Sequence, residues 1–293
     1  MVTLAGRSNV EKSTLLNALV GTKVAITSPK PQTTRDVIRG ILNDPRGQIV
    51  FIDTPGVFES KRDSFTQQLN QVARKALSDI DAIVYVVDPT RSIGTEEHRI
   101  HAAVRNSVVP KVLVYNKSDL STRERPYRDE YHSLVLGGLP IHPPGDGEGL
   151  GDGFVAEFDV SALKRRNLNL LVDALFDILP EGERLYEEGR IADVPQRFWV
   201  AELIREKVFL RMQQEIPYSV AVEVDEIVKR DDGLLYIVAR IMTTHDRYRK
   251  MLIGAGGRRI KEIGSLTRKE LETAMNRRVF LDLSVETNSS WQR

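Results

Sequence analysis

Cysteine is absent from this 293-residue chain. Disulfides and thiolate metal sites are therefore excluded, while the redox compartment stays open. Long apolar runs are missing too, since none approaches the ~20 residues that a membrane helix needs. No signal- or transit-peptide pattern is visible, and the chain opens almost directly on a strand-like run, Val2–Ala5. An excess of either charge is lacking as well. The formal net charge is +1, so any nucleic-acid surface must gather its positive residues locally. The five histidines show no ligand spacing, and no metal site is read in them. What remains, 41% apolar and 28% charged, is the composition of an ordinary soluble globular protein long enough for two domains.

The first half alternates strands with helices. Val2–Ala5 breaks at Gly6, and Ser13–Val20 reads as a helix. Buried strands are expected at Ile49–Ile52, Asp81–Val87, Lys111–Tyr115 and Phe154–Val160, with a closing amphipathic helix at Leu168–Leu179. This order predicts an α/β doubly wound, mostly parallel sheet, with sites at the carboxyl ends of its strands. Gly137–Gly153, rich in glycine and proline, reads as a flexible surface insertion; its alternative is a docking loop for a partner.

Four motifs fall at those strand ends, in the order a guanine-nucleotide site requires. They are Gly6-Arg7-Ser8-Asn9-Val10-Glu11-Lys12-Ser13, Asp53-Thr54-Pro55-Gly56, Asn116-Lys117-Ser118-Asp119 and Ser161-Ala162-Leu163. In the first, backbone amides at a helix N-terminus would converge on phosphates, with Asn9, Val10, Glu11, Lys12, Ser13 and Thr14 around them. Lys12 would neutralise the β- and γ-phosphates. Ser13 would place its hydroxyl on Mg²⁺, and Asp53 would hold the metal or its water. Gly56 could offer its N–H to the γ-phosphate. The Asp119 carboxylate can accept two hydrogen bonds from guanine, where adenine offers no such pair. Lys117 would lie along the base, Asn116 would tie loops together, and the stretch Ser161, Ala162, Leu163 would bring an amide to guanine O6. Each motif alone is weak; the bland reading of Lys12 and Ser13 is an exposed first helical turn.

One position breaks the pattern. Glu11 stands where a phosphate-binding loop normally has its second glycine. Strained backbone there costs of order 1–3 kcal/mol. A like-charge pair at about 4 Å in an intermediate dielectric adds up to ~4 kcal/mol, roughly a thousandfold in affinity. Two outcomes are open: Glu11 swings outward and leaves a weakened GTPase, or the domain is a nucleotide-dead scaffold.

The second half reads α-β-β-α-α-β. Gln196–Met212 has helical spacing, Ser219–Asp225 alternates as a half-buried strand, and Asp231-Asp232-Gly233 is a hairpin turn before Leu234–Met242. Arg247–Ile253 and Arg258–Met275 are helical, and Val279–Val285 is the last strand. Gly254-Ala255-Gly256-Gly257 fits the GXXG loop of an RNA-binding KH domain. Around it stand Arg247, Arg249, Lys250, Arg258, Arg259 and Lys261, with no acidic residue between Arg247 and Lys261. Tyr248 could stack on a base or cover the core edge. The expected boundaries are 1–180 for the nucleotide domain, 181–195 for a charged linker and 196–293 for a type II KH domain.

These features resemble a translation-factor-type GTPase, and Asn9-Val10 with Gln32-Thr33-Thr34-Arg35 resembles the Era family. The segments Pro195-Gln196-Arg197-Phe198 with Glu202-Leu203-Ile204-Arg205-Glu206-Lys207, and Glu215-Ile216-Pro217-Tyr218-Ser219-Val220, extend the resemblance over nearly the whole chain. It implies a GTP/GDP- and Mg²⁺-dependent protein that binds the 3′ end of small-subunit ribosomal RNA and assists assembly of the small ribosomal subunit. It places Thr33 or Thr34, with Thr34 the preferred choice, in the first switch, against Mg²⁺ and the γ-phosphate, beside Lys12 and Gly56 in catalysis. Asn9 resembles the asparagine that helps hold K⁺ in part of this superfamily. Val57, after Gly56, cannot orient water, so hydrolysis is expected to be slow. A metabolic NTPase or kinase is a weaker third reading. The glycine-rich stretch and Glu11 point to a mitochondrial-matrix copy, with the bacterial cytoplasm as alternative.

Overall fold

The computed structural model describes residues 1–27, 38–53, 80–136, 153–212 and 216–288. These fall into two compact units, Met1–Asp193 and Val194–Arg293.

In the first unit, six strands line up as β2-β3-β1-β4-β5-β6. They are β1 Val2–Ala5, β2 Ile38–Asp44, β3 Gly47–Asp53, β4 Ala82–Val87, β5 Lys111–Tyr115 and β6 Phe154–Asp159. All neighbours run parallel except β2 against β3. The central strands β4 and β5 are buried at every residue. Helices cover parallel sheets on both faces, so their strands read as unbroken apolar runs instead of alternating. Helix α1, Lys12–Val20, starts at the end of β1 and stops at Gly21, whose φ of 84° caps it through an N–H to the Asn17 carbonyl. Helices α2 (Thr95–Arg105), α3 (Arg128–Leu136) and α4 (Leu168–Ile178) complete the described set.

The antiparallel strand β2 was not anticipated from sequence. Its run, Ile-Arg-Gly-Ile-Leu-Asn-Asp, carries a charge and a glycine in the middle. The glycine has a packing reason: a Cβ at Gly40 would come within 2.6 Å of Leu16 Cδ1 on α1. The far side of β2 is paired as well. Ile41 N–H donates to the Ile191 carbonyl and Asp193 N–H to the Arg39 carbonyl. The charged stretch before Val194 thus blunts the sheet edge.

The second unit stacks a three-stranded sheet, β7-β8-β9, against helices. Its order is α5 (Gln196–Arg211), β7 (Val220–Lys229), β8 (Leu235–Thr243), α6 (Asp246–Ile253), α7 (Arg258–Met275) and β9 (Val279–Thr287). Strands β7 and β8 are antiparallel, β8 and β9 parallel. The core joins Leu203, Ile204 and Val208 of α5 to Ile237, Ala239 and Ile241 of β8 and to Ile263 and Leu271 of α7. Strand β7 runs past the expected Ser219–Asp225 to Lys229, and its register against β8 shifts between Val224 and Glu226. This bulge at Asp225 exchanges the two faces of the strand. Val224 is buried, but Val228, four residues on, is exposed.

Candidate functional site

The loop between β1 and α1 is set by one close approach and several anchors. A Cβ on Gly6 would lie 2.4 Å from the Val86 carbonyl oxygen, so only glycine lets the chain leave β1 beside β4. Lys12 folds back along the loop, its Nζ donating to the Gly6 carbonyl at 2.7 Å and to Arg7 at 3.0 Å. Burial pushes the Lys12 ammonium down, while Asp53, Glu96 and Glu97 pull it up. From α2, the Glu96 carboxylate accepts from both the N–H and the hydroxyl of Ser8, each at 2.9 Å. Arg7 meets the fully buried Glu97 at 3.3 Å, and Glu97 also accepts from Tyr85 at 2.5 Å and Tyr131 at 3.1 Å. This buried network was not foreseen; its members lie far apart in sequence, and no short motif marks them.

Ser13 Oγ donates to Asp53 Oδ2 at 2.5 Å. Asp53 is fully buried at the end of β3, and its other oxygen, Oδ1, has no hydrogen-bond partner among the described residues. Burial raises the Asp53 carboxyl, with Lys12 and Ser13 opposing. A buried carboxylate oxygen left unpaired beside a serine hydroxyl is a hard, all-oxygen donor set, which fits Mg²⁺.

At the other end of the site, Asn116 joins two loops. Its Nδ2 donates to the Val10 carbonyl and its Oδ1 accepts from the Ala162 N–H, both at 3.0 Å. Within the Ser161-Ala162-Leu163 stretch expected to bring an amide to the base, the Ala162 amide is engaged with Asn116. Asp119 Oδ1 accepts from Ser161 Oγ at 2.5 Å, and that bond holds the carboxyl below its usual range. Leu163 is exposed. Lys117 takes a left-handed conformation, φ 66°, and its Nζ lies 2.7 Å from the buried Asp88 carboxylate.

Glu11 also sits in the left-handed region, with φ 68° and ψ 37°, the conformation that glycine adopts without strain. Its side chain turns towards the base-reading loop. Glu11 Oε1 lies 3.9 Å from Lys117 Nζ. Burial raises the Glu11 carboxyl and Lys117 lowers it, with Asp88 and Asp119 adding further upward pressure. Of the other expected site residues, Asn9 is left-handed at φ 64° and Thr14 lies in the first turn of α1. Thr34 and Gly56 lie outside the described residues, as do Val57 and all of the glycine-rich stretch except Gly153.

In the second unit, Gly254, Ala255, Gly256 and Gly257 link α6 to α7, and all three glycines have positive φ. Arg247, Lys250, Arg258, Arg259 and Lys261 are exposed around the loop. Arg249 is tied down instead, donating to the Val285 carbonyl at 3.2 Å. Tyr248 packs against the core and meets His245 edge-on at 5.4 Å.

A mostly parallel sheet with a lysine–serine loop after its first strand and an asparagine–lysine–x–aspartate turn after its fifth defines a P-loop GTPase domain, here followed by a KH domain. Comparison with known proteins agrees. A family described as 50S ribosome-binding GTPase matches residues 1–117, and a KH domain family matches residues 215–292. GTPase Era of Halothermothrix orenii is 39% identical over 291 residues, covering 99% of this chain and 93% of the relative. GTPase Era of Geotalea daltonii is 40% identical over 290 residues, covering 99% and 92%. A crystal structure of an Aquifex aeolicus Era variant bound to GDP and aluminium fluoride superposes with a TM-score of 0.87 at 34% identity, covering 99% of this chain and 94% of that one. A structure of Era with MgGDPNP and nucleotides 1506–1542 of 16S ribosomal RNA gives 0.86 at 35% identity, with the same coverage. The chain belongs to the Era family of GTPases.

Proposed function

We propose that this chain is a GTP-binding, ribosomal-RNA-binding assembly factor of the small ribosomal subunit, and that slow GTP hydrolysis switches its RNA affinity. The observation that carries the reading is the pairing of Ser13 with the half-satisfied Asp53 at one end of a site whose other end presents Asp119. The relatives support it, one solved with a magnesium-bound GTP analogue and 16S nucleotides, another with GDP and aluminium fluoride. One family description names the large subunit. The 16S complex favours the small one, because that relative matches the chain nearly end to end.

Asp119 accepts from the guanine edge, and Lys117 lies along the base. Lys12 stabilises the negative charge that develops as water attacks the γ-phosphorus in line and the bond to the β–γ bridging oxygen breaks. Ser13, Asp53 and Thr34 are the residues that would hold Mg²⁺, which supplies further neutralisation of phosphate charge. Asn9 would contribute to a K⁺ site. Val57 brings no hydrogen-bonding group to the attacking water, so turnover is slow. The GXXG loop and Lys250, Arg258, Arg259 and Lys261 grip the RNA backbone. The relatives reported above are bacterial. They give the mitochondrial expectation no support, and we adopt the bacterial cytoplasm as the setting.

The nucleotide-dead reading keeps one specific observation, the Glu11 carboxylate beside Lys117. Titration of the full chain with labelled GTP, with and without Mg²⁺, separates the two. Magnesium-dependent binding at micromolar nucleotide is expected; no binding at millimolar GTP would leave an RNA-binding scaffold.

A further inference from the structure

The sheet of the second unit has an outer face, turned away from its helices, that none of these assignments uses. Cross-strand register sets Val228, Tyr236 and Phe280 side by side at the hairpin end of that face. The rings of Tyr236 and Phe280 stack at 5.4 Å, only 10° from parallel. The Arg230 guanidinium lies 4.5 Å from the centre of the Tyr236 ring. Strand order β7-β8-β9 makes these a row: arginine, tyrosine, phenylalanine. Phe280 is the outermost member, on a strand that pairs on one side only among the described residues, and it is 51% exposed. Val228, brought to this face by the bulge at Asp225, is 42% exposed beside it.

A lone exposed aromatic ring needs no explanation. A stacked column ending in a free ring beside cations is a more specific arrangement. Lys229, Arg230, Arg277 and Arg278 are all exposed at this end, against Asp231 and Asp232 in the turn, and Arg278 Nη2 lies 3.8 Å from the Asp232 carboxylate. The opposite end of the same face is acidic, with Arg240 held by Glu223, Asp225 and Glu286. Glu226 and Asp282 are exposed in the next row of that face, so the cations nearest the rings are those on the hairpin side, and a phosphate chain is drawn to that edge. Aromatic rings on a sheet face with neighbouring cations accept unpaired bases, whatever their sequence.

We propose that the Arg230–Tyr236–Phe280 column is a second RNA contact, on which an unpaired base stacks against Phe280 while Arg277 and Arg278 hold its phosphates. This rests on the RNA-binding reading above and extends it. Helix α7 has 18 residues and runs from the GXXG loop to Asn276, just before Arg277. Its length is about 27 Å. At about 3.4 Å per stacked nucleotide, an RNA strand needs on the order of eight nucleotides to span it. A GXXG loop clamps four nucleotides. The column is thus out of reach of a short oligomer bound at the loop.

The test uses the full chain and two single-stranded RNAs from the 3′ end of small-subunit ribosomal RNA, about six and about twenty nucleotides long, read by fluorescence anisotropy. Phe280→Ala is expected to weaken the long RNA roughly tenfold, the measured scale of one base–aromatic stack, and to leave the short one unchanged. Phe280→Trp should restore binding, and Arg278→Glu should weaken only the long RNA. The exposure of Phe280 makes the alanine variant safe for folding, which a thermal melt checks. If Phe280→Ala leaves both RNAs bound as before, or weakens both equally, the second contact is refuted and the patch belongs to another occupant or to packing. If the unaltered chain binds neither RNA, the RNA-binding reading fails first and this inference falls with it.

Discussion

Replacing Glu11 with glycine should tighten guanine-nucleotide binding, and the geometry says by how much and why. Two costs are removed. The first is backbone strain, since a non-glycine residue at φ 68° carries a penalty of about 1 kcal/mol. That penalty is present with and without nucleotide, so it affects stability more than affinity, and the greater freedom of glycine in the unfolded chain offsets it. The second cost is electrostatic. The Glu11 carboxylate faces Lys117 at 3.9 Å and is 36% exposed, so the pair itself is worth no more than ~1 kcal/mol. A nucleotide that claims Lys117 must displace it. The carboxylate also opposes the phosphates, and at roughly 8 Å with an effective dielectric near 20 one such charge pair costs about 2 kcal/mol. The sum, about 2–3 kcal/mol, is roughly a fiftyfold gain in affinity for Glu11→Gly. Fluorescent GDP and GTP titrations at fixed magnesium and salt give the comparison. Glu11→Gln separates the causes: it removes charge and keeps bulk, so it should recover most of the gain. Had the side chain pointed at Lys12, steric exclusion would dominate and only glycine would help. Equal affinities for all three proteins would refute the electrostatic account.

Three other substitutions test the remaining geometry. Asp119→Asn puts an amide where guanine needs an acceptor; GTP affinity should fall by roughly a thousandfold or more and xanthine nucleotide should replace it, as a competition titration would show. Gly256→Asp places a charge on a loop glycine at φ 59° whose added Cβ meets nothing within 4 Å, so the fold should lose only about 1 kcal/mol. RNA affinity, however, should drop at least about tenfold with GTP binding unchanged. Asp159 accepts from Arg125 at 2.6 Å and from Arg128 at 2.9 Å. Its carboxyl is lowered overall: burial raises it, and the two arginines together outweigh burial. A depressed folded-state pKa means stability that is full above the unfolded carboxyl range and lost as pH falls through the folded value. Asp159→Asn should therefore cost about 2 kcal/mol at neutral pH, and its melting deficit should shrink below about pH 4.

Much of the first unit was legible because the motifs sit where buried strands end. Five apolar runs gave five of the six described strands, and the loops after β1, β3, β5 and β6 carry the polar residues that such ends can bring together. Strand β2 was not legible, since an edge strand with Arg39 exposed and Gly40 fitted against α1 has neither an apolar run nor clean alternation. In the second unit, all six elements were read in order, but the bulge at Asp225 was not. The valine alternation up to Val224 predicts Val228 inside, and only the cross-strand pairing with β8 reveals the added residue. The charge network of Arg7, Tyr85, Glu97 and Tyr131 was invisible for a different reason: buried ion pairs depend on tertiary proximity, which sequence order does not carry. The direction taken by Glu11 depended likewise on a lysine over a hundred positions away.

The single amide of Asn116 grips the Val10 carbonyl with one end and the Ala162 N–H with the other. Phosphate grip and base choice are consequently welded through one side chain. A change at Asn116 that loosens one loop is transmitted to its counterpart, whereas a change confined to Asp119 leaves that link in place.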